Sequence, residues 1–187
     1  MFPKPRQLDS ESALYDAAIK ILMRRAHSVH EMKKALERRC DDATLIKNVM
    51  ARLKQNGYID DARYATQFAR HRTEGRKQGK FRVARDLRAR GVPDRHIEAA
   101  LDEVAKTTDE ATLVRQRIER KLRSLRGSSS ERSGHLEVGR QGTNLDEKKL
   151  ASLYRSLLRS GFSADVIRRE LKAVTREDMP DVEIEAE

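Results

Sequence analysis

The chain has 187 residues, 37% of them hydrophobic and 37% charged; about 25% charged is usual, so too little apolar mass is left for one thick core, and thin modules burying one stripe per helix are favoured. One cysteine, Cys40, excludes an internal disulfide, and no apolar run approaches the roughly 20 residues that a bilayer span requires. The net charge is +10, but Glu177 to Glu187 carry six acids and no base, so the body before them carries +16 and should attract polyanions, chiefly nucleic acid or a nucleoprotein surface.

Residues 1–10 read as an N-terminal tail without the apolar core of a signal peptide; with the reduced cysteine this leads us to expect a cytoplasmic protein. Residues 11–56 read as a three-helix unit. Its first helix carries Leu14, Ala17, Ala18, Ile21 and Leu22 at helical spacing and stops near Arg25. Ser28 with Glu31 forms a capping box for a second helix bearing Met32, Ala35 and Leu36. Asp42 caps a third with Leu45, Ile46, Val49, Met50 and Leu53 on one face, and Gly57 ends it.

The same order begins again over residues 57–107. Asp60 caps a helix with Tyr64, Ala65 and Phe68, and Ile59 and Tyr64 stand in positions for a hydrophobic staple. Gly75 and Gly79 bracket a basic loop, a helix with Val83 and Leu87 ends at Gly91, and another starting near Pro93 carries Ile97, Ala100, Leu101 and Val104. A third round, residues 108–175, opens with Leu113, Val114, Ile118, Leu122 and Leu125. It is interrupted by a polar Ser- and Gly-rich segment, 127–144, read as a flexible loop. Helix resumes through Leu150, Leu153, Tyr154, Leu157 and Leu158 to Gly161, and Ser163 caps a last one with Val166, Ile167, Leu171 and Val174. Residues 176–187, with Pro180 and the acidic run, read as a disordered tail.

These rounds are an internal repeat. Met32, Leu36, Cys40, Ile46 and Met50 recur 51 residues later as Val83, Leu87, Gly91, Ile97 and Leu101. Those recur 70 residues later as Leu153, Leu157, Gly161, Ile167 and Leu171, the extra length falling in the polar segment. Any two amphipathic helices share a 3.6-residue period, but chance does not place a helix break at the same offset three times. The fold class expected is all-α: three tandem three-helix repeats in an extended stack.

Groups that suggest catalysis resolve into structural roles. The segment from Gly75 to Phe81 superficially resembles a phosphate loop, yet it has three residues between glycines, Phe81 where Ser or Thr should hold magnesium, and no preceding strand. His27 and His30 lack the further ligands of a metal site. Asp60 and Asp61 are explained by a helix start, where carboxylates accept backbone N–H bonds and favour the dipole. No catalytic residue, cofactor or metal is assigned. Between Arg70 and Arg95, by contrast, ten Lys or Arg face three acids. With Val83 and Leu87 defining the buried face, Arg82, Arg85 and Arg88 centre opposite it as an outward row, flanked by Arg76, Lys77 and Lys80. Such guanidiniums engage phosphates or carboxylates bidentately, and the six are the candidate partner-binding residues. A second basic run, Arg115 to Arg126, surrounds its helix more evenly and is less specific.

Several segments together resemble the RecX family, regulators of the bacterial recombinase RecA: AHSVHEM at 26–32 with Leu36, NGYIDDARYA at 56–65, GKFRVARDL at 79–87, RGV at 90–92, IEAAL at 97–101, and RSGFS at 159–163 with Ile167 and Leu171. Phe81 in the basic loop, the polar segment and the acidic extension depart from the pattern. The resemblance implies an elongated, curved molecule of three tandem three-helix repeats. It also implies a non-enzymatic protein of DNA repair and recombination that binds RecA and its filament on DNA and mostly inhibits strand exchange and ATP hydrolysis. A monomer is expected. The runner-up reading is a protein that binds single- or double-stranded DNA directly, using its units as helix-turn-helix modules; an all-Arg row without Asn or Gln argues against base readout.

Overall fold

A computed structural model describes residues 7–129 and 147–177, with side chains over 7–124 and 148–174. All regular structure among these residues is helical. In chain order the elements are α1 (Glu11–Leu22), α2 (Val29–Glu37), α3 (Ala43–Gln55), α4 (Asp61–Arg70), a π-helical turn (His71–Gly75), α5 (Lys80–Arg88), α6 (Asp94–Thr107), α7 (Glu110–Ser129), α8 (Glu147–Arg159) and α9 (Ala164–Glu177). The fold is all-α, with three successive three-helix groups.

The helix starts are chemically specified. Ser28 closes both halves of the capping box: its hydroxyl accepts from Glu31 N at 3.0 Å, and its own N–H donates to Glu31 Oε2 at 3.3 Å. Asp42 accepts from the N–H groups of Thr44 and Leu45 at the start of α3. Asp60 does the same for Ala62 and Arg63 in α4, and Asp109 for Ala111 and Thr112 in α7. Each such cap is worth about 1 kcal/mol against alanine.

Three apolar clusters lie one in each group. Leu14, Met32, Leu36, Val49 and Leu53 are fully buried in the first. Ala65, Ala69, Val83 and Leu87 are fully buried in the second, and Val114, Ile118 and Ile167 in the third, with Phe162 almost so. Cys40 sits inside the first cluster, so its thiol acts as a small core hydrophobe. Ile59 joins the first cluster and Tyr64 the second, so the expected staple is shared out between two cores.

The described residues divide into two compact units, one within 7–71 and 83–104 and the other within 72–82, 105–129 and 147–177. The first unit holds α1–α4 and most of α5 and α6. The second holds the π turn, the basic loop, the first residues of α5, and α7–α9. Two boundaries differ from the sequence reading. α7 runs on through Ser129, so residues 127–129 of the polar segment are helical, and α9 runs through Glu177 into the acidic tail. The rest of both segments lies outside the described residues.

Candidate functional site

Two junctions of the same design recur in the molecule, one inside each unit. In the first unit α2 begins against the turn that follows α5. The Ser28 hydroxyl donates to the Arg90 carbonyl at 2.6 Å, and the Val29 N–H donates to Asp61 Oδ1 at 2.9 Å. Gly91, at φ +70°, brings its backbone so close to His30 that a Cβ would lie 2.4 Å from the ring. In the second unit α5 begins against the turn that follows α8. Gly79 N–H donates to the Ser160 carbonyl at 2.9 Å and Phe81 N–H to the Gly161 carbonyl at 3.1 Å. Gly161, at φ +87°, would place a Cβ 2.3 Å from Arg82 N. The repeat offsets of 51 and 70 residues map Ser28, His30 and Gly91 onto Gly79, Phe81 and Gly161.

The acids at the helix starts follow the same symmetry. Asp60 and Asp61 recur 49 residues later as Asp109 and Glu110. In each pair the first caps its own helix, while the second reaches beyond it, Asp61 to the start of α2 and Glu110 to Lys80 and Ser163. Asp61 takes up a free N–H of α2, so it is not a local cap as the sequence reading supposed. Glu110 lies 3.7 Å from Lys80 Nζ at the start of α5 and accepts from Ser163 N and Oγ.

The charges at the two junctions differ. In the first, Glu31 is the hub: its carboxylate accepts from Arg25 at 3.1 and 3.2 Å and from the Tyr64 hydroxyl at 3.3 Å, and it lies 3.9 Å from Arg90 Nε. Burial pushes its pKa up, but the bonds from Arg25 and the Ser28 N–H outweigh this and hold it below the usual carboxylate value. Burial, and then the Glu31 charge, raises the Tyr64 phenol. The position equivalent to Glu31 in the second unit is Arg82. Its Nη1 donates to the Arg159 carbonyl at 3.3 Å, and its buried Nε has no partner. Arg117, in the place of Phe68, donates to the Lys77 carbonyl at 2.6 Å and lies over the Phe162 ring. Burial, followed by the like charges of Arg120 and Arg82, lowers the Arg117 pKa.

The predicted outward row is therefore broken up. Arg76, Lys80, Arg85 and Arg88 are exposed, while Lys77 and Arg82 are half-buried. Lys80 is paired with Glu110 and Arg88 with Asp94 at 2.6 Å. Lys77 holds the left-handed conformation at φ 51°, which presents its carbonyl to Arg117. A helical wheel referenced to Val83 and Leu87 places Arg82 outside because it takes no account of the α8–α9 turn. The sequence places Arg117 only within the second, less specific basic run; the signal for its special place is the 49-residue register with the partly buried Phe68. The exposed aromatic Phe81 lies under the Lys80 ammonium at 5.4 Å. Among the described residues, no group of His, Cys, Asp or Glu has metal-binding geometry and no helix is long and apolar enough to cross a membrane.

The pattern that defines the second three-helix domain of RecX matches residues 60–101, from the cap Asp60 to Leu101. Over 169 residues the chain is 32% identical to the regulatory protein RecX of Halorhodospira halophila (strain DSM 244 / SL1), covering 90% of this chain and 92% of that protein. The chain belongs to the RecX family. The RecX protein of Pelodictyon phaeoclathratiforme (strain DSM 5477 / BU-1) is 30% identical over 149 residues, 79% of this chain and 91% of the relative. The crystal structure of RecX from Lactobacillus salivarius has the same fold, with a TM-score of 0.68 at 21% identity over 89% of this chain and 97% of that one. The 60–101 match carries the RecX pattern through Asp61, Arg90 and Gly91, the α4–α6 contribution to the first junction.

Proposed function

We propose that this chain is a non-enzymatic cytoplasmic regulator of the RecA recombinase, acting in DNA recombination and repair by docking on RecA and its nucleoprotein filament and mostly restraining strand exchange and ATP hydrolysis. The observation that carries this reading is the 32% identity to a protein named as regulatory, spread over nine-tenths of both chains. The charge supports it: a body at +16 suits a filament whose DNA is a polyanion. Arg76, Lys80, Arg85 and Arg88 are the exposed cations offered to the partner, with Lys77 and Arg82 contributing from behind. The chain acts as a monomer, its three-helix units spanning 11–56, 57–107 and 108–175.

The test is a RecA ATPase and filament-assembly assay on single-stranded DNA. Suppression at substoichiometric amounts is expected, since one bound molecule can cap a growing end; no effect at any ratio sinks the reading. Direct binding to single-stranded DNA is the second reading, favoured by the exposed Phe81 beside Lys80, because a base can stack on an aromatic ring while the cation meets its phosphate. Binding to bare and to RecA-coated single strands at physiological salt separates the two.

A further inference from the structure

The junction of the second unit lacks something that the junction of the first supplies from its own sequence. In the first, one carboxylate, Glu31, lies between two guanidiniums, Arg25 and Arg90. In the second, Arg82 stands where Glu31 stands, Arg117 projects from α7 into the same neighbourhood, and Arg120 follows one turn later on the same helix. None of the three has an ion pair among the described residues, although acids nearby are committed elsewhere: Glu110 to Lys80 and Ser163, and Glu170 to Arg115 at 2.9 Å. The Nε–H of Arg82 is buried without an acceptor, and Gln78, four residues before it and 8% exposed, has an amide oxygen without a donor. Buried polar groups without partners are rare and mark a place where a ligand or water completes the structure. The Arg117 guanidinium, already made less basic by burial and by Arg120 and Arg82, gains most from a counter-charge.

We propose that the second unit carries a binding site for a dianionic phosphate group, held between Arg82 and Arg117 with Arg120 at the rim. Charge count selects the ligand. One carboxylate serves two guanidiniums in the first junction, so three guanidiniums call for about two negative charges. A phosphate monoester or inorganic phosphate carries these at neutral pH, and an internal phosphodiester does not. Planar guanidiniums pair with phosphate oxygens two at a time, and a phosphate that retains one proton is also able to donate to Gln78 Oε1. The same chemistry is offered by free phosphate and by the 5′-terminal phosphate of a nucleic acid. The site does not depend on the RecA reading, and its test contains no recombinase.

Thermal unfolding of the full chain at pH 7.5 is measured against inorganic phosphate, with chloride at equal ionic strength as the control. A saturable rise in Tm in phosphate alone is expected. Arg120→Gln, an exposed change that leaves the fold intact, weakens the half-saturation concentration about tenfold, as the loss of one charge-assisted bond requires; Arg82→Glu abolishes the response by placing a carboxylate in the site. Lys47→Gln, an exposed change on α3 away from both junctions, serves as the off-site control and leaves it unchanged. A second arm compares binding of 5′-phosphorylated and 5′-hydroxyl oligonucleotides: Arg120-dependent preference for the phosphorylated end extends the site to nucleic-acid termini, and equal Arg120-dependent binding of both overturns the dianion assignment. A phosphate response no larger than the chloride response, or one that Arg120→Gln and Arg82→Glu leave intact, overturns the site.

Discussion

The two junctions are built on one plan and finished with opposite charge. In both, a helix start docks on a glycine turn and an acid from the following first helix reaches back to it. At the centre, the first places Glu31 and the second Arg82. The backbone plan is thus independent of the electrostatics laid over it. Close glycine contact fixes the geometry, which leaves the central side chain free to serve either stability or binding. The first junction carries its own counter-charge in Glu31 and behaves as a structural clasp. In the second, the Arg82 Nε–H is buried without an acceptor, the feature on which the proposed phosphate site rests.

The largest expected effect breaks the shared plan. Gly161→Ala forces a Cβ against the backbone nitrogen of Arg82 at 2.3 Å in a left-handed conformation, and should cost about 3 kcal/mol or more, read as a drop in the denaturation midpoint. Gly91→Ala meets the root of the His30 side chain, Cγ at 2.4 Å and Cβ at 2.6 Å, rather than a backbone nitrogen; α2 must shift slightly to relieve it, so about 2–3 kcal/mol is expected. If Gly91→Ala proves the costlier, the junctions are not equivalent in rigidity.

The next effect tests the clasp. Glu31→Gln leaves Arg25 and Arg90 uncompensated and should cost about 1–2 kcal/mol at pH 7. Because the folded pKa of Glu31 lies below its unfolded value, its contribution is fully present above about pH 4.5 and is lost as pH falls through the folded value. The Tm gap between wild type and Glu31→Gln should therefore be widest near neutrality and close in acid; a gap that is constant down to pH 3 refutes the hub role.

Smaller effects sharpen the contrast. Arg82→Glu rebuilds the missing carboxylate beside Arg117 and should stabilise the chain by about 1 kcal/mol, whereas a fall in stability would show that the cation is wanted there by the fold itself. Arg85→Glu, exposed and outside both junctions, should shift stability by less than about 0.5 kcal/mol. It should weaken filament binding several-fold with an unchanged helical circular-dichroism signal.

Local rules exposed most of the helices and few of the junctions. Ser28 with Glu31, Asp42 and Asp60 were legible because a cap acts within three residues, and Gly91 and Gly161 because a helix break repeats in register. Asp61 was misread because its acceptor role lies 32 residues away at Val29, and a carboxylate at a helix start looks the same whether it caps its own helix or another. Arg82 falls outside on a wheel referenced to Val83 and Leu87 because the wheel takes no account of the α8–α9 turn, whose Gly161 packs against Arg82. Arg117 was hidden because an arginine within a basic run carries no mark of burial. It becomes visible only when the first helices are aligned at their own offset of 49 residues, distinct from the 51 of the second helices.

The backward reach of Asp61 and Glu110 has a meaning in time. A ribosome releases α2 well before residue 61, and α5 well before Gly161, so each helix start waits for chain not yet made before its dock exists. At roughly 5–20 residues per second the first wait, from Val29 to Asp61, lasts seconds, far longer than a helix takes to form. During synthesis the first and second groups thus complete these helix-start docks only after part of the following group has been made.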